Sequence, residues 1–539
     1  MRERYRMANT MTAVACLIGP LAPLAAQATG TDAGTAGCAA AVSPFDALSR
    51  LSTRADSALF REPLASRDAS GCTRPVDRSA RVRAVWPSVM LVAAGGIPDS
   101  RSDGALWAGR GPSTLVRGGL TINVGAVHAT LAPELWVAQN RAYDILPSSA
   151  ISQRNDRSSL ASPFYYGPHS LDLPSRMGVA PLRIAAPGQS ALWLSLKGAD
   201  IGASTSNIIW GPGLRDGLLL GATAPGIPRA FIRTAHPIRT RFGLWRGEWF
   251  IGTLTESRWF DADTTNDRRT IGAARLEWSP VRVPSLVLGV YRAMQRPQHT
   301  AYPSAGYADV WRSTTRTPTD QMAGLFASYA SSGMRAYLEV VSPHPPSGIR
   351  TLLATPGDDR GYQLGVERRI VRGNGNGSGN GSSTWLLHAE VMNTDPGVSI
   401  RDRPPRDFYA GKTVSHGWTH RGQLLGAGIG PGGTAQWFAV DRITKRLSVG
   451  AYAERVRWNN EVLPRLYLPT IFRHDVTVRG GGRASVRTRI AGHAYEIGAD
   501  ASWGTRLNYL FQNTTWIRDF RTVDLRVPQL RLIVSPRGG

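Results

Sequence analysis

The amino-acid sequence predicts an all-β protein: a large antiparallel transmembrane β-barrel preceded by a short N-terminal helical segment. Three observations lead to this fold class. The chain begins with an export-type leader, apolar and polar residues alternate through most of the chain after residue 80, and tryptophans recur near the predicted strand ends. Alternation with a period of two is typical of strands that have one apolar face and one polar face.

Residues 1–28 have the three parts of a secretory signal peptide. Arg2, Arg4 and Arg6 are basic, Met11–Leu24 is a short apolar core, and Ala26-Gln27-Ala28 supplies small residues before a cleavage point after Ala28. The alternative is an N-terminal membrane anchor. It is disfavoured because two prolines interrupt the apolar run, which is shorter than the roughly 20 residues that a helix needs to span a bilayer.

Residues 29–80 are expected to form a mobile and then helical segment on the periplasmic side of the membrane. The first part is rich in Gly, Ala and Thr. From Ser43 to Leu64, apolar residues recur at helical spacing, and Ser43 followed by Pro44 suits a helix N-terminus.

Two cysteines, Cys38 and Cys72, remain after removal of the leader. They flank the predicted helix, and export exposes them to oxidising conditions. One disulfide between them is therefore expected, and two unpaired thiols are the alternative.

Residues 81–539 are predicted to form the barrel. Six segments alternate between an apolar and a polar face. Their apolar residues are Leu120, Ile122 and Val124; Leu192, Leu194 and Leu196; Leu276 and Trp278; Ala336, Leu338 and Val340; Trp385, Leu387, Ala389 and Val391; and Ile497, Ala499, Ala501 and Trp503. In a membrane barrel the apolar face contacts lipid and the polar face lines the lumen. A soluble propeller or stacked sandwich would bury the same apolar residues, so pattern alone leaves it open.

Aromatic residues support the membrane alternative. Tryptophans near predicted strand ends are expected to form the belts that barrels place at the two membrane–water interfaces. These residues are Trp245, Trp249, Trp259, Trp278, Trp385 and Trp503.

The charge balance predicts an anionic partner. The chain has 63 Lys and Arg against 39 Asp and Glu, a net charge of +24, and Lys197, Lys412 and Lys445 are its only lysines. Such a protein suits an acidic polysaccharide, anionic lipid or nucleic acid. No run of five basic residues occurs, so nucleic acid is not expected. Arginine use in a GC-rich genome is the alternative explanation of the composition.

Three segments carry distinctive motifs. They are Gly188-Gln189-Ser190; Ser204–Gly213, which ends Trp210-Gly211-Pro212-Gly213; and Gly417–Gly433, which contains Trp418-Thr419-His420-Arg421-Gly422 and a second Gly-Pro-Gly. Gly-Pro-Gly favours a tight turn at a strand end, which in a barrel is expected to place Trp210 and Trp418 near a rim.

These motifs resemble those of the Wzi capsule assembly family, over roughly residues 160–505. The resemblance implies a bacterial outer-membrane barrel of about 16–18 strands that holds capsular polysaccharide at the cell surface. Two features depart from the family pattern: Ile209 stands where an aromatic residue is expected, and the chain does not end on an aromatic residue.

Residues beside the two Gly-Pro-Gly turns are the predicted substrate-binding residues. Indoles stack on sugar rings, and Arg pairs with the carboxylates of acidic sugars. The predicted set is Trp210, Arg215, Asp216, Trp418, His420 and Arg421. The alternative is that both segments are structural turns whose tryptophans serve as membrane anchors.

No enzyme signature is found in the sequence, since both the Gly-x-Ser-x-Gly and the His-Glu-x-x-His patterns are missing. His388 and Glu390 share a strand face, as do Arg335 and Glu339, and we expect them to form a charge ladder rather than a metal site. No cofactor and no metal are expected. The sequence therefore favours a non-enzymatic polysaccharide-binding protein, with a general or carbohydrate-selective porin as the alternative and an outer-membrane hydrolase third.

Overall fold

The chain forms a closed antiparallel β-barrel in the computed structural model. The structure describes residues 81–98, 103–146, 158–165, 170–298, 319–331, 333–343, 350, 360–372, 383–395, 408–411, 413–444, 446–465, 474–512 and 523–536. Within these ranges the wall has eighteen strands, of which four are interrupted.

The wall strands are β1 (Arg81–Ala94), β2 (Gly111–Val124), β3 (Val127–Leu131 and Glu134–Ala138), β4 (Leu182–Ala186 and Ala191–Leu196), β5 (Ala199–Ser204), β6 (Arg229–Thr234 and Ile238–Thr240), β7 (Gly243–Thr255), β8 (Arg268–Pro280), β9 (Leu286–Pro297), β10 (Asp320–Ser331), β11 (Met334–Ser342), β12 (Gly361–Arg372), β13 (Ser383–Asn393), β14 (Thr434–Ile443), β15 (Leu447–Trp458), β16 (Asp475–Ile490), β17 (His493–Leu507) and β18 (Leu525–Arg526 and Gln529–Pro536).

Pairing of the first strand with the last closes the barrel. Met90 of β1 lies opposite Leu115 of β2 on one side and opposite Ile533 of β18 on the other. Closure satisfies the backbone hydrogen bonds of both outer edges, as a sheet in lipid requires. The predicted barrel and its strand number are confirmed. The predicted leader, the helix of Ser43–Leu64 and the cysteine pair lie outside the described residues.

The two faces of the wall have opposite chemistry. Outward side chains are apolar and exposed, among them Leu192 and Val290, each 55% exposed, and Phe438. Inward side chains such as Glu339 and Asp441 are charged and 0% exposed. All six predicted alternating segments turn their apolar residues outward. A soluble sandwich would bury that face, so the membrane alternative is the correct one.

Five of the six predicted belt tryptophans lie on the outer wall. Trp245 and Trp278 stack with ring centroids 5.5 Å apart, close to the β6–β7 turn. Trp259 is the exception. It lies in the β7–β8 loop and packs against a buried cluster that includes Met177, so its predicted place in a membrane belt is wrong.

The barrel has one end with short turns and one with long loops. Residues 125–126, 197–198 and 491–492 are two-residue turns at one end, whereas residues 205–228 and the described residues 394–395, 408–411 and 413–433 lie in loops at the other. The strand termini Arg81 and Pro536 lie at the short-turn end, opposite Asn123 and Tyr495. Outer-membrane barrels have short periplasmic turns and long extracellular loops, so the long-loop end is the outer end.

Among the described residues, no helix is long and apolar enough to span a membrane.

The closed barrel leads to a first prediction. Cell fractionation is expected to recover the protein with the outer membrane, and unheated samples are expected to migrate faster on a denaturing gel than boiled ones, because a closed barrel resists detergent. Recovery as a soluble periplasmic protein, with no shift on heating, would contradict this assignment.

Candidate functional site

Loop residues from two parts of the chain fold into the lumen. We term residues 205–228, 408–411 and 413–433 the plug. Their buried side chains belong to one hydrophobic cluster with inward-facing residues of the wall, including Phe250, Tyr291 and Phe326. The plug and the wall therefore pack like the interior of a soluble protein.

Trp210 anchors the first plug segment to the wall. Its side chain is 0% exposed and packs edge-on against Phe250, with ring centroids 5.6 Å apart. Its indole N–H donates to Glu248 Oε2 at 3.3 Å, and the guanidinium carbon of Arg275 lies 5.4 Å from the ring centroid. The expected rim position of Trp210 is wrong, because the indole is enclosed by wall residues.

The first Gly-Pro-Gly turn needs its glycines because its backbone lies very close to side chains of the wall. Gly211 has φ +96°, and a Cβ atom there would lie 2.6 Å from the carboxylate oxygens of Glu339. A Cβ on Gly213 would lie 2.4 Å from Gln363 Nε2. The carbonyl of the proline between them accepts a hydrogen bond of 2.7 Å from Arg335. Only glycine fits such a backbone conformation and such short distances.

Carboxylates of the wall accept hydrogen bonds from plug backbone. The Leu214 N–H donates to Glu390 Oε2 at 2.9 Å, and the Leu218 N–H donates to Glu339 Oε1 at 3.4 Å. The Tyr291 hydroxyl also donates to Glu339. Buried carboxylates need such donors to offset lost hydration, so the acids of the lumen serve as docking points for the plug.

Asp216 joins the two plug segments. Its Oδ1 accepts from the N–H groups of Gly217 and Ala222 at 3.0 and 3.1 Å. Its Oδ2 accepts from the Thr223 hydroxyl at 2.8 Å and from the Gly428 N–H at 3.0 Å. Burial raises the pKa of the Asp216 carboxyl, and these hydrogen bonds lower it in part. The predicted binding residue is a buried link between loops.

The Gly-Gln-Ser motif contacts the Ser-x-Asn motif directly. The Gln189 side chain accepts from the Asn207 N–H at 3.0 Å and donates to Asn207 Oδ1 at 2.7 Å and to Glu134 at 3.1 Å. Asn207 in turn donates to the Ala224 carbonyl at 2.7 Å. Sequence analysis found both motifs but not their contact, since neither pattern carries a sign of the other.

Trp418 anchors the second plug segment. Its side chain is 1% exposed, and its backbone N–H donates to the Tyr409 carbonyl at 2.8 Å. Arg269 of β8 donates hydrogen bonds of 3.0 Å to the carbonyls of Gly417 and Thr419 on either side. Like Trp210, Trp418 is a core residue, so its expected rim position is wrong.

His420 is buried beside Trp418. Its Nδ1 accepts from the Thr255 N–H at 3.0 Å. Burial lowers the pKa of His420 well below its usual value, and Arg421 and Arg269 lower it further. The ring is therefore neutral at neutral pH and supplies no positive charge to an acidic ligand.

A cluster of acidic side chains lies next to the plug at the outer end of the barrel. Burial raises the pKa of Glu256 to about 9, with Asp261, Asp172 and Asp267 contributing. Burial also raises the pKa of Asp172 to about 6, partly offset by hydrogen bonds from Ser257. The raised pKa of Glu256, whose carboxylate also contacts the His416 ring, lessens the negative charge that an anionic ligand would meet there.

Arg421 is the exposed residue of a turn at the outer end whose other residues are buried. It has φ +52° and is followed by Gly422 at φ +77°, between the short pairing segments Thr419–His420 and Gln423–Leu424. Positive φ at both central positions defines a type I′ turn, which favours Asn-Gly. Arginine in this backbone conformation costs about 1–2 kcal/mol. We therefore expect its side chain to have a function that the turn itself does not require.

Arg215 lines a crevice between the plug and the wall. The crevice measures about 370 Å³ including its open mouth, and Glu390, Trp437 and Glu454 also line it. Arg215 is 30% exposed in its side chain, pairs with Glu454, and lies 5.2 Å from the Trp437 ring centroid. Sequence analysis missed Trp437, although its alternation with outward-facing Phe438 is a signal for an inward position.

The predicted charge ladder of the lumen is present, with different partners. His388 lies 3.4 Å from both Glu367 and Asp441, Arg335 lies 3.0 Å from Glu367, and Arg483 pairs with Asp441. The pairs form across strands because facing residues of neighbouring strands are closer than alternate residues of one strand.

Of the six predicted binding residues, the structure therefore leaves two accessible: Arg215, which is partly exposed, and Arg421, which is exposed. The buried members are Trp210, Asp216, Trp418 and His420. They build the plug, and ligand contact by them stays a prediction.

Comparison with known proteins identifies the fold. No protein-family model matches the chain, and no curated protein matches it. Among solved structures, Wzi of Escherichia coli, an outer-membrane protein involved in group 1 capsule assembly and described as a carbohydrate-binding β-barrel, aligns with a TM-score of 0.55 and 13% identity over 84% of each chain.

Other outer-membrane barrels align less well. A BenF-like porin from Pseudomonas fluorescens has a TM-score of 0.36 and 9% identity, over 85% of this chain and 98% of the porin. OccK5 of Pseudomonas aeruginosa has a TM-score of 0.35 and 8% identity, over 84% of this chain and 98% of its own. The resemblance indicated by the three motifs is confirmed at the level of the fold: this chain is an outer-membrane-type barrel with the fold of Wzi.

Proposed function

We propose that the protein binds an anionic polysaccharide at the outer end of the barrel and holds it at the cell surface without cleaving it. One observation carries the proposal: the plug packs against the inner face of the wall and shares a hydrophobic cluster with it. A packed lumen suits a binding protein better than a diffusion pore. The similarity to a barrel described as carbohydrate-binding and involved in capsule assembly supports the same function.

The proposed contact surface is the accessible arginine at the plug tip with its neighbours on the β7–β8 loop. The Arg421 N–H donates to the Thr255 carbonyl at 2.8 Å. Three residues after Thr255, the guanidinium carbon of exposed Arg258 lies 5.0 Å from the ring centroid of Trp259. A guanidinium pairs with sugar carboxylates through two parallel hydrogen bonds, and an indole stacks on sugar rings. Repeated weak contacts along a polymer add to a stable attachment.

The test uses Arg421→Asn. Asparagine tolerates positive φ better than arginine does, so the turn and the plug should persist while the charge is lost. An exposed ion pair contributes about 0.2–1 kcal/mol, so retention on an immobilised uronic-acid polysaccharide is expected to fall by up to about five-fold. Retention of the wild type is expected to fall as salt rises through about 0.1–1 M, because exposed charges are then screened.

The matched control is Arg489→Asn, which removes an exposed arginine at the short-turn end. Its retention should equal that of the wild type. Equal retention by wild type and Arg421→Asn would refute the assigned contact. Failure of the wild type to bind any glycan, together with ion conduction in a planar bilayer, would replace the proposal with the porin alternative.

A further inference from the structure

Two arginines belong to one row of side chains that crosses four neighbouring strands of the wall. Arg455 of β15 lies opposite Val478 of β16, which lies opposite Thr505 of β17. Thr505 in turn lies opposite Arg526 of β18. Facing residues of adjacent strands point to the same side of a sheet, so the four side chains share one face of the wall. We term them the arginine row.

The arginine row is on the outward face. Val478 is 50% exposed, and Arg455 and Arg526 are also exposed. Glu454, the residue before Arg455, lines the crevice inside the barrel, so Arg455 points the other way. Trp503, on the same face of β17 as the row, is 59% exposed. The row therefore borders lipid and not the lumen.

The arginine row lies at the outer edge of the apolar band. β15 ends at Trp458 and β16 begins at Asp475, each three residues beyond the row at the outer end. Toward the short-turn end, the outward side chains of the same four strands include large, exposed apolar ones: Val449, Val486, Ile497, Trp503, Leu530 and Leu532. Tryptophans mark the membrane interface. The row, just beyond Trp503, therefore lies at the level of the lipid head groups.

Neither arginine of the row forms an ion pair with an acid of the described residues. Arg455 donates a hydrogen bond of 3.1 Å to Gln436 Oε1. The guanidinium carbon of Arg526 lies 5.9 Å from the ring centroid of Trp503. An amide and an indole accommodate a guanidinium without neutralising it, so both charges remain available to an anion.

Two acidic residues close to the row along its strands have other partners. Asp475 accepts hydrogen bonds of 2.7 and 2.6 Å from Arg506. Asp524 accepts from the backbone N–H of Asn508 at 2.9 Å. These carboxylates are therefore engaged away from Arg455 and Arg526.

The loop residue His474 lies in the positive field of this region. Burial lowers the pKa of His474, and the charges of Arg457 and Arg455 lower it further. A positive field on a surface attracts anions. An outward arginine is costly at the midplane of the bilayer and nearly free at its interface, so the edge of the band is where such a pair is tolerated and meets anionic head groups.

We propose that Arg455 and Arg526 bind the phosphate groups of a phosphorylated glycolipid in the outer leaflet. The planar guanidinium forms paired hydrogen bonds with phosphate oxygens. Three strand spacings separate the two Cα atoms by about 14 Å, so each arginine contacts a different phosphate of one head group, and the apolar band below contacts the acyl chains. This site is on the outside of the wall and is independent of the polysaccharide surface proposed above.

The matched control comes from the other end of the outward face. Arg442 lies opposite Trp385, with its guanidinium carbon 6.0 Å from the ring centroid, as Arg526 lies beside its own tryptophan. Arg368 lies outward opposite Met334, which is 43% exposed. Both control arginines are close to the short-turn end, where the inner leaflet contacts the wall. Their replacement removes the same charge from the lipid-facing surface without touching the arginine row.

The experiment compares the wild type, Arg455→Gln/Arg526→Gln and Arg368→Gln/Arg442→Gln as full chains folded in detergent. Native mass spectrometry counts retained bis-phosphorylated lipid A and its dephosphorylated form. A basic residue near an anionic lipid contributes on the order of a five-fold factor in affinity. The first double variant should therefore lose about ten- to thirty-fold of its lipid A retention, whereas the second should retain lipid A within about two-fold of the wild type.

Inorganic phosphate, added to the wild type at constant ionic strength, separates a lipid site from a site for the free ion. It is expected to leave lipid A bound, because a free ion lacks the contacts with the apolar band. Displacement of lipid A by inorganic phosphate would overturn the assignment to a lipid.

Heat-modifiable migration checks that each variant has folded. If the first double variant does not fold, the single variant Arg526→Gln takes its place, with an expected loss of about five-fold. Three further results would overturn the proposal: lipid A retention unchanged by the substitutions, equal loss in the short-turn control, or equal retention of dephosphorylated lipid A by the wild type.

Discussion

Replacement of Asp216 by alanine is expected to loosen the plug and let ions pass through the barrel. The substitution leaves four buried donors, on Gly217, Ala222, Thr223 and Gly428, without their acceptor. A buried donor left unsatisfied costs about 1–3 kcal/mol. Allowing for relaxation, a loss of about 3–5 kcal/mol in the free energy of unfolding is expected, measured by denaturant titration in detergent, with a rise in planar-bilayer conductance.

The matched control for this prediction is Asp263→Ala. Asp263 is an exposed aspartate of the β7–β8 loop whose hydrogen bonds go to the nearby Thr265 and Asn266. Its replacement should change the free energy of unfolding by about 0.5 kcal/mol or less and leave conductance unchanged. A closed and fully stable Asp216→Ala barrel would show that other contacts suffice to hold the two plug segments together.

Trp418→Ala is the second change with a large expected effect. The indole is 1% exposed, and truncation of a buried tryptophan costs about 3–5 kcal/mol because a cavity replaces its contacts. The midpoint of denaturant unfolding should fall accordingly. Polysaccharide retention should fall with it, because the plug positions Arg421.

A comparison with Trp503→Ala separates core packing from loss of an indole as such. Trp503 is 59% exposed on the outer wall, where it stays in contact with detergent or lipid, so its replacement should destabilise the barrel much less. If Trp418→Ala unfolds at the wild-type denaturant concentration but loses retention, the indole contacts the ligand, and the original prediction for this residue would be restored.

The sequence sufficed to predict the wall because each wall strand obeys a local rule. With a period of two, Leu338 must face the opposite way from Glu339, and the apolar side can contact only lipid once the sheet closes. The direction of each side chain can therefore be predicted from its own strand, without knowledge of distant residues. It therefore predicted the fold class, the facing of the six segments and the charge ladder of the lumen.

The plug could not be predicted because its contacts are distant in sequence. Leu214 meets Glu390 across 176 residues, and Gly428 meets Asp216 across 212. A tryptophan followed by Gly-Pro-Gly looks the same in a rim turn as in a loop that folds inward. Burial of Trp210 and Trp418, and the exposure of Arg421, follow only from the direction in which each loop leaves its strand.

The backbone of the plug contacts carboxylates of the wall. A plug residue and the wall residue that it contacts are therefore expected to change together in evolution. No side chain fits at position 211 while the glutamate at 339 reaches the turn, because the two would occupy the same space. A larger residue at 211 would therefore require a shorter one at 339, a different backbone conformation of the turn and a new acceptor for the Leu218 N–H. Among related barrels, the residues at 211 and 339 should change together, and a change at only one of them should mark a plug that has shifted or a lumen that has opened.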